Sequence, residues 1–397
     1  MNNNPILSIL IPTKNRQKYA LNVVQQILGI ANDRLQLIIQ DNSDSNSLGD
    51  ALSIYKNDSR LRYYYHNEVL SFVDNFSLGL SKCTGEYVTI IGDDDGINPL
   101  IIEITEWAYK YNIEAISSVL SIIYFWPDSG VNYANNNGML TIRDTSCKVK
   151  YVDTKKEVKK FLKNGCHNYL NYNLAKAYHG IVKRSVLENI KSKTGNYIGG
   201  LSPDIYLSIA ISLLVDKVLI VDYPLTISGI CNQSGSSDSA TGKHTGALNK
   251  APHFIGHKNY KWAIKIPPFY SVDTIWGDSA LAAINDLNEI KYLKYFRDYI
   301  LCIYCLNSFP KFKEIIISTL VKNHNYFNLS LEIILLKGRI LVFYKTFINK
   351  LIFKLKRKQS NQVHENVGNM VEASDLCQTI IFNKSKILLD NIMKTNT

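Results

Sequence analysis

Five short apolar runs, Ile6–Ile11, Leu35–Gln40, Leu61–Tyr65, Tyr87–Ile91 and Ala115–Val119, recur through the first part of the chain. Helical patterns lie between them, at roughly residues 16–29, 47–57, 71–82 and 98–111. An apolar run without polar alternation reads as a strand buried on both faces. Strand–helix alternation builds a mostly parallel sheet with helices on both sides, so the chain is expected to be α/β. Right-handed crossovers then place the loops after Ile11, Gln40 and Ile91 along one edge of that sheet. In open α/β sheets this carboxyl edge is where ligands bind.

The third of these loops carries Asp93-Asp94-Asp95 directly after the run that ends in Gly92. Three adjacent carboxylates repel one another unless a cation neutralises them. Hard cations such as Mg²⁺ or Mn²⁺ take carboxylate oxygens and leave positions for substrate phosphates, which points to a metal–diphosphate site. The competing reading is a solvated Asp-rich turn that caps the next helix. The other two loops read Pro12-Thr13-Lys14-Asn15-Arg16 and Asp41-Asn42-Ser43-Asp44. All three converge without further assumption.

Taken in order, Ile11–Arg16, Gln40–Ser43, Asn75–Tyr87 and the acidic cluster resemble a family 2 glycosyltransferase of the GT-A fold, over roughly residues 5–230. The resemblance implies an inverting enzyme whose first loop wraps a nucleotide-sugar, with Pro12, Thr13, Asn15, Arg16, Asn75 and Asp93 as contacts. It gives Asp41 the nucleotide base, although a turn-forming Asp is the simpler reading of Asp-Asn-Ser. Read as D-x-D, Asp93 and Asp95 are the pair; counting back from Pro99 places Asp94 on the metal. Asp94 and Asp95 are therefore the expected metal ligands, and His244, beside the polar loop, is a further candidate. The general base is expected at Asp204, in Gly199-Gly-Leu-Ser-Pro-Asp204, where the two glycines would let a sugar approach; helix capping also accounts for it. The implied partners are a nucleoside-diphosphate sugar, with uracil the commonest base in the family, and a glycan or lipid-linked acceptor of surface-polysaccharide synthesis.

Other patterns bound the function. No glycine follows the first strand, which counts against a sugar-nucleotide nucleotidyltransferase and against a nicotinamide dehydrogenase. A transferase fold serving as a non-catalytic, membrane-associated assembly protein stays open. His179, in Tyr178-His-Gly180, reads as a structural histidine. Seven scattered cysteines form no disulfide framework, and Cys302 and Cys305 sit in an apolar run, so packing and a reducing cytoplasm are expected. The amino end carries no basic segment before Ile6–Ile11, a run too short for a secretory leader.

The expected organisation is a GT-A domain over 1–230, with a donor half to about 120 and an acceptor half over 121–230. A lid-like polar loop spans 231–270, and a helical, basic region spans 271–397. Residues 120–153 read as irregular, because of Trp126-Pro-Asp-Ser-Gly130 and Asn135-Asn-Asn-Gly138. The net charge of +11 is concentrated: residues 291–397 carry +10 and residues 1–290 only +1. The first 290 residues offer no basic groove with interleaved aromatics, so nucleic acid is not an expected partner. Over 329–358, apolar runs alternate with Lys and Arg, no apolar span reaches transmembrane length, and peripheral contact with the inner face of a membrane is the alternative to a solvated bundle helix.

Overall fold

The structure is a computed structural model that describes residues 5–233, 245–248, 251–256, 260–324, 328–356 and 361–395. Its strands, in chain order, are β1 Leu7–Thr13, β2 Leu35–Asp41, β3 Leu61–Tyr65, β4 Tyr87–Ile90, β5 Gly96–Ile97, β6 Ala115–Ser118, β7 Ile122–Phe125 and β8 Met139–Arg143. They continue with β9 Val149–Asp153, β10 Gly180–Lys183, β11 Lys217–Val221, β12 Thr226–Ile230, β13 Thr245–Ala247, β14 Phe269–Ser271 and β15 Asn361–Glu365. Eight of them form one sheet in the order β3-β2-β1-β4-β10-β6-β11-β9. β3, β2, β1 and β4 run parallel, as do β6 and β11, while β10 and β9 are antiparallel to their neighbours. The expected α/β architecture is what forms.

Alternation along β1 divides the core. Ile9 and Ile11 face helices Gln17–Leu28 and Leu100–Lys110, whereas Leu10 faces helices Phe72–Leu80 and Pro203–Leu214. Both faces are covered, which is why β1 and β2 are buried along their whole length and read as mainly apolar runs.

The structure departs from the sequence reading at residues 120–153. Residues 120–153 are not irregular: they contain β7, β8 and β9, and β7 and β8 join β12, β5 and β15 in a second sheet. The C-terminal region is mainly helical and packs against the first part of the chain. β15 pairs with β8, and helix Met370–Thr395 buries Met370, Ala373, Cys377 and Ile381 in the same core as β1 and helix Gln17–Leu28. Most of the polar loop read as lid-like, residues 234–244, lies outside the described residues; of 231–270, β13 pairs with β14, and Tyr260 and Ala263 are bonded to Asp278 of helix Val272–Asp286. All seven cysteines are buried and none forms a disulfide, Cys302 and Cys305 among them.

Asp278 gives a stability prediction. Burial pushes its carboxyl up to about 6, against the hydrogen bonds donated by the Tyr260 hydroxyl (2.6 Å) and the Ala263 N–H (2.8 Å). A carboxyl raised on folding contributes most below its unfolded value of 3.8, and that contribution is lost as pH rises through 6. Asp278→Asn should therefore flatten this part of the pH–stability curve, removing a slope worth on the order of 2 kcal/mol between about pH 4 and 7. Urea unfolding of both proteins across that range measures it; parallel curves would show that Asp278 ionises freely.

Candidate active site

β1, β2 and β4 end side by side, with Thr13 paired to Asp41 in the parallel register. The chain leaves β1 at Thr13, whose hydroxyl donates to Asp93 Oδ2 at 2.6 Å. Asn15 takes up a left-handed conformation (φ 57°) and locks the first loop to the second. Its N–H donates to Ser43 Oγ at 2.7 Å, its amide donates to Asp44 at 2.8 Å, and it accepts from the Asp44 N–H at 2.9 Å. Asn75 donates to the Thr13 carbonyl at 3.3 Å, and its own side-chain oxygen is buried without a hydrogen bond. The three loops meet, as the topology required.

Arg16 lies at the centre. One guanidinium nitrogen is 2.6 Å from Asp93 Oδ1 and the other is 3.0 Å from Asp94 Oδ2 and 2.7 Å from Cys231 Sγ. Asp93 and Asp94 are buried, at 2 % and 4 % exposure. Burial raises both carboxyls, Asp94 to about 7, and Asp95 adds to the effect while Arg16 opposes it. The two oxygens facing Arg16 have ion-pair contact but no well-aligned hydrogen bond. These two oxygens lie together at the carboxyl ends of β1 and β4, where a hard cation could take them. Among the described residues no group of three or more His, Cys, Asp or Glu is arranged to hold a metal. Asp93 and Asp94 are the residues that could hold a divalent cation such as Mg²⁺ or Mn²⁺, which can bind through one or two carboxylates with phosphates and water completing the shell.

Asp95 has a different environment from its neighbours. Its Oδ1 accepts from the Gly229 N–H at 2.7 Å, and its Oδ2 accepts from the Gly92 N–H at 2.7 Å and the Tyr178 hydroxyl at 3.1 Å. His179 Nε2 lies 3.3 Å from Oδ2, and the other ring nitrogen is 2.9 Å from Thr226 Oγ1. Burial works against ionisation, yet His179 and the two N–H groups outweigh it and hold this carboxyl below the usual range. Both oxygens are thus turned into the protein, where they tie the acidic loop to β12. The strand comes so close that a Cβ on Gly229 would lie 1.7 Å from the Asp94 carbonyl oxygen, so only glycine fits there. Trp126 Nε1 donates to that same carbonyl at 2.9 Å.

Asp41 is fully buried; its oxygens accept from the Ser43 N–H (2.8 Å), closing an Asx turn, and from the Tyr63 hydroxyl (2.8 Å). Pro12 is buried in β1 beside Gln40. His244 lies outside the described residues. Asp204 is half-buried at the first turn of helix Pro203–Leu214, where its Oδ1 accepts from the Ile205 N–H at 2.8 Å and from the Ser202 hydroxyl. Burial, with Asp204 second, raises the Tyr169 hydroxyl well above its usual value, and burial lowers the Lys176 ammonium to about 8 against the pull of Asp204. Lys176 also lies over the Tyr169 ring, at 5.3 Å. Gly199 and Gly200 do not face an open site. A Cβ on either would strike Asp286 or Ser279, so these glycines serve close packing on helix Val272–Asp286. Trp126, Tyr178, Gly229 and Cys231 complete the acidic pocket and carry no local motif; Trp126 had been legible only as part of a turn.

Residues 8–141 match the family model described as "Glycosyl transferase family 2". WcaA of Escherichia coli (strain K12), a glycosyl transferase provisionally assigned to colanic acid biosynthesis, is 36% identical over 25% of this chain and 36% of its own length. The GalNAc(5)-diNAcBac-PP-undecaprenol beta-1,3-glucosyltransferase of Campylobacter jejuni is 29% identical over 23% of this chain and 30% of its own. The chain thus spans about a third, or less, of the length of such relatives. Among solved structures, S. aureus TarS 1-349 superposes with a TM-score of 0.44 at 11% identity, over 81% of this chain and 92% of that one.

Proposed function

We propose, from the membership of residues 8–141 in glycosyl transferase family 2, that this protein moves a sugar from a nucleoside-diphosphate sugar to a hydroxyl of a glycan or lipid-linked acceptor in surface-polysaccharide synthesis, with inversion and with a divalent metal. The observation that carries this reading is the junction of Thr13, Arg16, Asp93 and Asp94 at the carboxyl ends of β1 and β4. Asp93 and Asp94 would hold Mg²⁺ or Mn²⁺, which when bound neutralises charge on the departing nucleoside diphosphate. Arg16, which lies beside these carboxylates at the carboxyl edge of the sheet, would pair with the diphosphate, for which its planar fork is suited. The loop Thr13–Arg16, held by Asn15 and Ser43, fixes the nucleotide's position. Asp95 takes no part in ligation in this scheme; it holds the acidic loop against β12.

Asp204 takes the proton of the acceptor hydroxyl as that oxygen attacks the anomeric carbon, and the nucleoside diphosphate leaves from the opposite face. Tyr169 and Lys176 keep Asp204 in a partly desolvated, cation-flanked setting. Uridine is the first base to test, as the commonest in the family.

Thermal shift of the purified protein with UDP, CDP, dTDP and GDP, each with and without Mn²⁺, tests the donor site. One nucleotide with Mn²⁺ should raise the melting midpoint by about 3–6 °C at a hundredfold excess over Kd, and far less without the metal. Equal shifts with and without Mn²⁺ would remove the metal from the scheme, and no shift with any nucleotide would remove the donor site.

A further inference from the structure

Helix Asn328–Lys356 presents an apolar stripe that nothing in the described chain covers. Its inner face is seated: Leu331, Leu335 and Val342 are buried in the core that contains helix Asp298–Ser308. On the outer face Ile333, Leu336, Ile340, Phe343, Phe347 and Leu351 are exposed by 46, 60, 59, 74, 57 and 49 %. Their spacing of three and four residues confines them to an arc of about 100°, roughly 27 Å long. Exposed Lys337 and Arg339 border the arc on its two sides. The whole helix carries six Lys or Arg against the single Glu332. No helix among the described residues is long and apolar enough to cross a membrane.

From this surface we infer that helix Asn328–Lys356 lies flat on an anionic lipid bilayer, with its outer stripe among the acyl chains and its basic residues at the headgroups. The chemistry of the rim decides the occupant. A second copy of the same helix would bring two strongly positive stripes together, whereas a negative lipid surface is attracted by each Lys and Arg near it. A long Lys or Arg at the edge of the stripe can reach the headgroups while its methylene stem stays in the apolar zone. The surface is independent of whether the chain transfers sugar, because no residue of the acidic site belongs to it.

Flotation of the full chain with vesicles tests this, using phosphatidylcholine alone and phosphatidylcholine with about 30% phosphatidylglycerol. The protein should float with the anionic vesicles at about 0.1 M salt and lose much of that binding at about 0.5 M. Phe343→Ser with Phe347→Ser should weaken partitioning about tenfold or more, with the melting midpoint unchanged because both side chains are exposed. Lys337→Glu with Arg339→Glu should weaken it and reduce its salt dependence. Failure of the wild type to float at low salt would overturn the inference, as would flotation of the Phe343/Phe347 variant equal to wild type. So would a wild-type dimer, seen by light scattering, that the Phe343/Phe347 variant dissolves while its vesicle binding is unchanged.

Discussion

Asp94→Asn should lower kcat for the proposed sugar transfer by about 10³-fold while the protein stays folded. The size follows from the proposed role of the carboxylate: it would hold the divalent cation that neutralises charge on the departing diphosphate, an effect worth several kcal/mol. The unchanged fold follows from its surroundings. Asp94 is buried and its carboxyl is already pushed up to about 7, so replacing it with a neutral amide relieves desolvation. The backbone hydrogen bond from Trp126 that holds the loop does not involve the side chain. Steady-state kinetics with a Mn²⁺ titration, beside a melting curve, separate the two effects. Activity within tenfold of wild type would move the metal assignment to Asp93. Asp95→Asn should behave differently, with a lower melting midpoint, because four donors converge on its two oxygens and an amide nitrogen there faces a donor.

Asp204→Asn is the second large expected effect, about 10³-fold in kcat with little change in the KM for the donor. This substitution separates chemistry from helix capping. The amide keeps an oxygen for the Ile205 N–H and Ser202 hydroxyl, so only the charge at the helix amino end is lost, about 0.5 kcal/mol. If Asp204 serves the helix alone, the variant keeps its activity and that small destabilisation is all that remains. If Asp204 is the base, the acidic limb of the kcat/KM–pH profile disappears along with the rate, and single-turnover measurements locate the loss in the transfer step.

How far the sequence reaches differs by element, for physical reasons. β1, β2 and β4 are covered on both faces, so their apolar runs carry no competing signal, and the loops after them converge by topology alone. That made Thr13, Arg16, Asp93 and Asp94 legible as neighbours. β7 and β8 were not legible, since each has only four or five residues and lies among Asn- and Gly-rich turns. Their stability comes from pairing with β12 and β15, which are distant in sequence. Cys231, Gly229, Tyr178 and Trp126 reach the acidic loop from 32 or more positions away or through backbone contacts. Such contacts leave no local spacing to read. The equivalence of the three aspartates in sequence hid the sharpest difference between them, because Asp95 is distinguished by what other elements donate to it.

The return of the chain's far end to its beginning has a consequence for how the molecule is made. The Gln26 amide donates to Ser374 Oγ at 3.1 Å and the Met370 N–H donates to Asn22 at 3.2 Å, across 348 positions each. During synthesis β1, β2 and helix Gln17–Leu28 emerge well before residues 361–395, so one flank of that helix stays bare until those residues leave the ribosome. Between the emergence of helix Gln17–Leu28 and that of residues 361–395 the nascent chain has an open seam, a state that favours chaperone capture and makes a stop codon within that interval costly to parts of the protein far upstream of it.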